Sequence, residues 1–224
     1  MKIGLIYAMT LEIESLLTQQ NAQPLQTVAG VPFYQIRENV IACAGGVGKV
    51  NAAMATQLMI SLYQPDLILN AGVAGCFEHA EIGDLVLAEA FIQHDMDTSN
   101  IGDPVGFVST VNTIEFPTAE FDKAKAAMDK VGMPYRTGLV ASGDWFAVDC
   151  DRARWIGETF NPLLCEMEGC AIAQVCMRNG VKFMSLKSVS DCLFENDDFY
   201  FNFPTAMKDL NRVVVQFIDN LELR

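Results

Sequence analysis

The sequence predicts an α/β fold, a three-layer α/β/α sandwich around a central mixed, curved β-sheet, built by one domain over residues 1–224. Three observations predict it. Apolar runs of strand length alternate with stretches of helical period along the chain. Two of those runs end in carboxylates, Leu164-Cys165-Glu166-Met167-Glu168 and Leu186-Lys187-Ser188-Val189-Ser190-Asp191. Ligands of open α/β sheets bind at such strand ends. The early strands are short and closely linked, which favours a mixed, curved sheet over a purely parallel one.

Lys2 to Tyr7 is the first strand. Ala8-Met9-Thr10 turns the chain, with Thr10 placed to cap a helix whose apolar stripe includes Leu11, Ile13, Leu16 and Leu17. Glu12 falls at this junction. The helix dipole favours a carboxylate there, and a ligand-facing group would sit there too; the pattern leaves both open. Phe33 to Ile36 and Val40 to Ala44 form a small meander, with Pro32 before its first strand and Arg37-Glu38-Asn39 as its turn. The stretch Ala44 to Asn51 fails as a phosphate loop. Cys43 stands where the first glycine belongs, and Val50 where Ser or Thr belongs. Asn51 likewise breaks the dinucleotide fingerprint, so a tight turn opens a helix over Lys49 to Leu62.

Asp66 to Asn70 reads as a strand buried on both faces. Ala71-Gly72-Val73-Ala74-Gly75 follows as a turn, serving either packing or close backbone approach to a ligand. Asp84 to Phe91 is a strand closing on Gln93-His94-Asp95-Met96-Asp97. Ser99 to Phe116, with Gly102, Pro104 and Gly106, is a long loop of the kind that often carries function. A helix over Thr118 to Val131 and a strand over Tyr135 to Ala141 lead into Ser142-Gly143-Asp144-Trp145-Phe146. After a helix over Asp151 to Phe160, the strand ending at Glu166 turns into a small-residue helix. This turn places Glu166 and Glu168 where a ligand hydroxyl could meet a carboxylate. Val181 to Val189 is the last strand. The polar stretch Phe194 to Asp198 and a helix from Pro204 to Leu221 complete the chain.

Charge narrows the function. Lys plus Arg number 15 against 28 Asp plus Glu, a net charge of −13 that disfavours nucleic acid and anionic membrane but not an uncharged nucleoside. The seven cysteines are odd in number and lack paired spacing, so Cys165, Cys170 and Cys176 are expected as buried reduced thiols. With only His79 and His94, a histidine-rich metal site is not expected; no metal and no cofactor are expected. No apolar run reaches the roughly 18 residues of a membrane span. Glu12 and Glu14 follow the first apolar run in place of a cleavage pattern, so a cytoplasmic protein is expected.

A set of ordered motifs carries a resemblance. They are Met1-Lys2-Ile3-Gly4 with Ala8-Met9 and Glu12; Gly46-Val47-Gly48-Lys49-Val50; Asn70-Ala71-Gly72 with Ala74-Gly75; Gly83-Asp84; His94-Asp95-Met96-Asp97; Ser142-Gly143-Asp144 with Phe146; Glu166-Met167-Glu168; and Ser190-Asp191. In order and spacing the chain resembles the bacterial 5′-methylthioadenosine/S-adenosylhomocysteine nucleosidases of the nucleoside phosphorylase superfamily. The resemblance implies a homodimer that hydrolyses the N-glycosidic bond of adenine thionucleosides. It implies Asp191 as general acid at the purine and Glu12 as the group that activates water. Glu168, with the Met167 backbone, would hold the ribose hydroxyls; Phe146 would stack on adenine and the Ala147 backbone would read its edge. Phe201 and the partner subunit's Val105 to Phe107 region would line the alkylthio pocket. Gly72, Val73, Glu166 and Ser190 complete the candidate substrate-binding set.

Four residues depart from the family pattern. Val73 stands where a hydroxyl residue is usual, Lys187 replaces an Arg, Tyr7 replaces a small residue, and Trp145 is bulkier than its counterpart. A Lys ammonium does not reproduce the planar fork of Arg. Three alternatives stay open beside the nucleosidase: a hydrolase of another purine nucleoside of futalosine type, a phosphate-dependent phosphorylase, and a non-catalytic nucleoside-binding homologue. A phosphorylase needs a cationic pocket, for which Lys49 and Lys187 are the only nearby candidates.

Overall fold

The computed structural model describes residues 1–77, 80–147, 150–193 and 202–222; Phe201 and the polar stretch 194–198 lie outside the described residues. The strands are β1 (Ile3–Tyr7), β2 (Gln23–Val28), β3 (Val31–Arg37), β4 (Val40–Ala44), β5 (Leu67–Cys76), β6 (Leu85–Gln93), β7 (Phe116–Pro117), β8 (Arg136–Ser142), β9 (Leu164–Glu166) and β10 (Lys182–Cys192). The helices are α1 (Thr10–Gln19), α2 (Lys49–Tyr63), α3 (Phe121–Val131), α4 (Cys150–Phe160), α5 (Gly169–Asn179) and α6 (Phe203–Asn220).

The period-two alternation of the strands sorts their side chains into two cores. On one face Ile3, Leu5 and Tyr7 pack in a cluster with Ile13 and Leu16 of α1, Ala127 of α3 and Leu210 and Phe217 of α6. On the other, Ile6 and Ile68 cluster with Ala55 and Met59 of α2 and Ile172 and Cys176 of α5. Helices therefore cover both faces of a mixed sheet, as the sequence predicts. Cys165, Cys170 and Cys176 are buried free thiols.

The sheet branches at β5. One edge of β5 pairs along its length with β10, parallel. The other edge is shared: Leu67 to Asn70 pair with β1, and Gly75 and Cys76 pair with β9. Beyond that fork β9 joins β8, β8 joins β6, and β6 joins β10, so β5, β9, β8, β6 and β10 close into a ring. The opposite branch runs β1-β4-β3-β2 to an open edge.

Several elements differ from expectation. β2 was not anticipated, because Gln23, Pro24, Gln26 and Thr27 are exposed and show no apolar alternation; Pro24 is tolerated because β2 is an edge strand. Ala71 to Gly75 is not a turn, since its register with β10 carries β5 on to Cys76. Thr10 does not cap α1. Met9 occupies the cap position, and the Glu12 carboxylate takes the Met9 N–H. α3 starts at Phe121 rather than Thr118, whose hydroxyl donates to the Ala88 carbonyl at 2.6 Å. The stretch Ser99 to Phe116 holds one 3-10 turn at Ser99–Ile101 and a Val108–Thr113 bridge. No helix among the described residues is long and apolar enough to cross a membrane.

Candidate active site

A cavity of about 470 Å³ opens at the fork, at the carboxyl ends of β1, β5, β8, β9 and β10. That volume suits a small ligand. Glu12, Val73, Phe146, Ala147, Glu166, Met167, Glu168, Ser190 and Asp191 all line it. Met9, Leu11, Val47, Cys165, Phe203 and Trp145 line it as well. Of these, Phe203 gives no signal in sequence, as it lies beyond the last strand in a run of aromatic residues with no motif of its own.

Glu12 is placed by the fork. Between Asn70, where pairing with β1 ends, and Gly75, where pairing with β9 begins, β5 has no strand on that edge. The Val73 N–H freed there donates to Glu12 Oε1 at 3.0 Å. The Ala8 and Met9 N–H groups donate to Oε2 at 3.1 and 2.8 Å. Both carboxylate oxygens thus accept and neither donates, the pattern of an ionised group. Burial pushes the carboxyl above its ordinary value, opposed by these N–H groups and by Lys187. Gly72 does not line the cavity. A Cβ on it would stand 2.6 Å from Glu12 Oε1, so its lack of a side chain admits the carboxylate.

Asp191 is placed by a bulge. The register of β10 against β5 shifts between Val189 and Asp191, so Ser190 is the extra residue. Bulges re-aim side chains, and here Ser190 and Asp191 both reach the cavity wall. Gly75 makes room, since a Cβ there would lie 2.8 Å from Asp191 Oδ2. Burial pushes the Asp191 carboxyl up, only partly offset by the Ser190 hydroxyl, which donates to Oδ1 at 2.6 Å.

Glu166 and Glu168 have different roles although they are two residues apart. Glu166 reaches the cavity wall, but its oxygens are engaged. They accept from the Ser142 hydroxyl, from Lys187 Nζ at 3.0 Å and from the N–H groups of Glu168 and Gly169 that open α5. Burial works against its charge, yet Lys187, Ser142 and the Gly169 N–H hold the carboxyl below its ordinary value. Glu168 accepts the Gly48 N–H at 2.7 Å on Oε1. Burial, reinforced by the charges of Glu166 and Glu12, pushes Glu168 up to about 8. The folded protein therefore holds that proton longer than the unfolded chain does. The stability this gives is complete below pH 4.5 and is lost as pH rises to about 8. Glu168→Gln is expected to flatten the fall in Tm across that window, measured by thermal melts of the ligand-free protein.

The remaining predicted residues divide. Phe146 lines the cavity and is 50% exposed. Tyr7 is fully buried and does not line the cavity. Val105 to Phe107 do not line the cavity of their own chain. Lys49 is tied to Asp95 at 2.6 Å and to Gln93 at 3.1 Å. No Lys, Arg or His lines the cavity among the described residues. Nor do the described residues contain a cluster of His, Cys, Asp or Glu that could hold a metal ion.

The model of the phosphorylase superfamily matches residues 2–219. A 5′-methylthioadenosine/S-adenosylhomocysteine nucleosidase of Shewanella halifaxensis (strain HAW-EB4) is 37% identical over 200 residues, covering 85% of this chain and 86% of its own. The S-adenosylhomocysteine nucleosidase of Streptococcus pyogenes, solved with 5-methylthiotubericidin, matches with a TM-score of 0.89 at 30% identity, over 100% of this chain and 98% of its own. The futalosine hydrolase of Helicobacter pylori strain 26695 also reaches 0.89, at 28% identity over 98% of each chain. Sequence and structure agree on one family: this chain is an enzyme of the 5′-methylthioadenosine/S-adenosylhomocysteine nucleosidases, within the phosphorylase superfamily.

Proposed function

We propose that the protein hydrolyses the N-glycosidic bond of 5′-methylthioadenosine and/or S-adenosylhomocysteine, releasing adenine and the thioribose. One observation carries the reading. A single cavity holds two buried carboxyls, both raised by burial but differently partnered: Glu12 accepts three backbone N–H groups and is opposed by Lys187, while Asp191 accepts one hydroxyl. That division of labour resembles paired carboxylates in glycoside hydrolysis.

In this scheme Asp191 gives its proton to a purine ring nitrogen. The C1′–N bond breaks and its electron pair stays with the base. The oxocarbenium-like sugar is stabilised by the surrounding carboxylates. Water adds at C1′ and its proton goes to Glu12. Glu168, with the Met167 backbone, holds the ribose hydroxyls, and Phe146 with Ala147 receives adenine. Glu166 contributes by fixing the turn that carries Met167 and Glu168. The exposed apolar side chains Val50, Met54 and Leu62 of α2 support a homodimer. The partner subunit's Val105 to Phe107 region would then complete the 5′ end.

The futalosine-type reading keeps support from Val73, which offers no hydroxyl, and from the matched structure. The described lining residues include no cation, which disfavours a 5′ substituent of net negative charge and ranks the neutral methylthio and the zwitterionic homocysteine groups ahead of it. A phosphorylase fares worse, because Lys49 and Lys187 are both committed to carboxylates. The test is release of the purine base from methylthioadenosine and S-adenosylhomocysteine in phosphate-free buffer, beside a nucleoside whose 5′ substituent is a net anion. Rapid release from the former supports the proposal; release only with added phosphate, or only from the latter, overturns it.

Two variants probe the water side. Glu12→Gln is expected to keep ligand binding within a few-fold while turnover drops by about 100-fold or more. Loss of binding, followed by calorimetry with adenine, would recast Glu12 as a ligand contact. Val73→Ser keeps the N–H to Glu12 and adds a hydroxyl at the cavity wall. Methylthioadenosine turnover should rise if water placement limits the native chain, and steady-state kcat reads it.

A further inference from the structure

The Glu12 side of the cavity is braced from behind by groups that do not line it. Asn211, buried on α6, donates from Nδ2 to the Glu12 main-chain carbonyl at 2.8 Å and to Ser15 Oγ at 2.7 Å. A carbonyl can only accept, so the amide orientation is determined and Oδ1 must face the other way. There it accepts the Tyr7 hydroxyl at 2.6 Å. Tyr7 is the last residue of β1, next to Ala8, whose N–H holds Glu12 Oε2. The side chain of Glu12 is thus gripped by β1, its turn and β5, while its main chain is gripped by α6. α6 is also tied to the acid side, where the Asn202 N–H donates to the Ser190 carbonyl at 3.1 Å.

We propose that Asn211, oriented by Tyr7, is a positioning residue that holds the first turn of α1 and with it the Glu12 carboxylate. Its catalytic consequence rests on the role proposed above for Glu12. The other polar ties of this turn run through the Glu12 carboxylate itself, to the Ala8, Met9 and Val73 N–H groups, and Leu11 beside Glu12 is 66% exposed. Without Asn211 the turn is free to shift relative to the Val73 N–H, and displacements of about 1 Å near reacting atoms cost on the order of 100-fold in rate. Tyr7 contributes through the amide. Without its hydroxyl, Oδ1 is left buried and unpaired, and the preference for the observed orientation weakens. Tyr7, a departure from the family pattern in sequence, acquires a function here as half of this brace.

The test combines Tyr7→Phe, Asn211→Leu and the double variant, each assayed well below its own melting temperature. Asn211→Leu is expected to lower kcat by about 10- to 100-fold with KM within about threefold, the mark of a transition-state defect. Tyr7→Phe should show a smaller loss, and adding it to Asn211→Leu should cost nothing further, because the two act through one amide. A folded Asn211→Leu with kcat within about twofold of the native enzyme overturns the proposal, as does full additivity. If Asn211→Leu does not fold, Asn211→Ser is read by the same criteria. If the native protein hydrolyses no purine nucleoside, the proposed function fails by itself. The brace is then decided by the amide resonances of Met9 and Val73, whose N–H groups both donate to Glu12. Movement of both in Asn211→Leu supports positioning, and unchanged resonances overturn it.

Discussion

Asp191→Asn is expected to fold normally, bind adenine within a few-fold of the native enzyme, and lose about 100- to 10,000-fold in kcat. Adenine leaves poorly as an anion, so its departure needs a proton. An ordinary Asp, with a pKa of about 3.9, would hold one only about a thousandth of the time at pH 7. Burial at the bulge raises Asp191 and improves that fraction. The carboxamide is nearly isosteric, still accepts the Ser190 hydroxyl and still fits the space left by Gly75. Only the transferable proton is missing. Ionisation of Asp191 should also set the alkaline limb of the native kcat/KM profile, and that limb should vanish in the variant. Near-native turnover would place the acid elsewhere.

The second large effect is expected in stability. Lys187 and Glu166 form a buried pair with side chains 2% exposed on each partner. Lys187→Met leaves Glu166 with the Ser142 hydroxyl and backbone N–H groups but no counter-charge. Removing one member of a buried pair costs about 3–5 kcal/mol. For a chain of this size that lowers Tm by about 6–20 °C. Adding Glu166→Gln should recover part of the loss, because two neutral groups bury better than one lone charge. Activity should respond in a defined direction too. Lys187 lowers the pKa of Glu12 and Glu168, so its loss raises both. If Glu12 takes the role proposed for it, the acid limb of kcat/KM should move to higher pH. A variant melting within about 2 °C of the native protein would refute the energetic role.

Asp191 was legible because it ends a strand-like run at a place where α/β sheets bind ligands; Glu12, at a strand-to-helix junction that the helix dipole also explains, drew its expected role from the motif resemblance alone. Glu166 was legible only as a carboxylate near the site. Its engagement with Lys187 depends on β9 and β10 lying in one ring, and the two residues are 21 apart in sequence. Glycines misled in β5. Gly72 and Gly75 look like a turn locally, yet a partner strand holds them extended while their missing side chains admit Glu12 and Asp191. β2 was invisible because an exposed edge strand needs no apolar face. The contact of Tyr7 with Asn211 joins residues 204 apart and could not be read from either residue alone.

Closure of the strand ring has a consequence for how the molecule is made. Ser185 on β10 meets Asn70 on β5, a partner 115 residues earlier. While the chain is being synthesised, β5 must therefore wait with one edge unpaired until β10 has emerged. Such non-local pairings fold slowly, on the millisecond-to-second scale, and an open strand edge is the species most prone to aggregate. The last closing strand is also the one that brings Asp191 to the fork. Closure of the ring and placement of Asp191 at the cavity are the same late folding event.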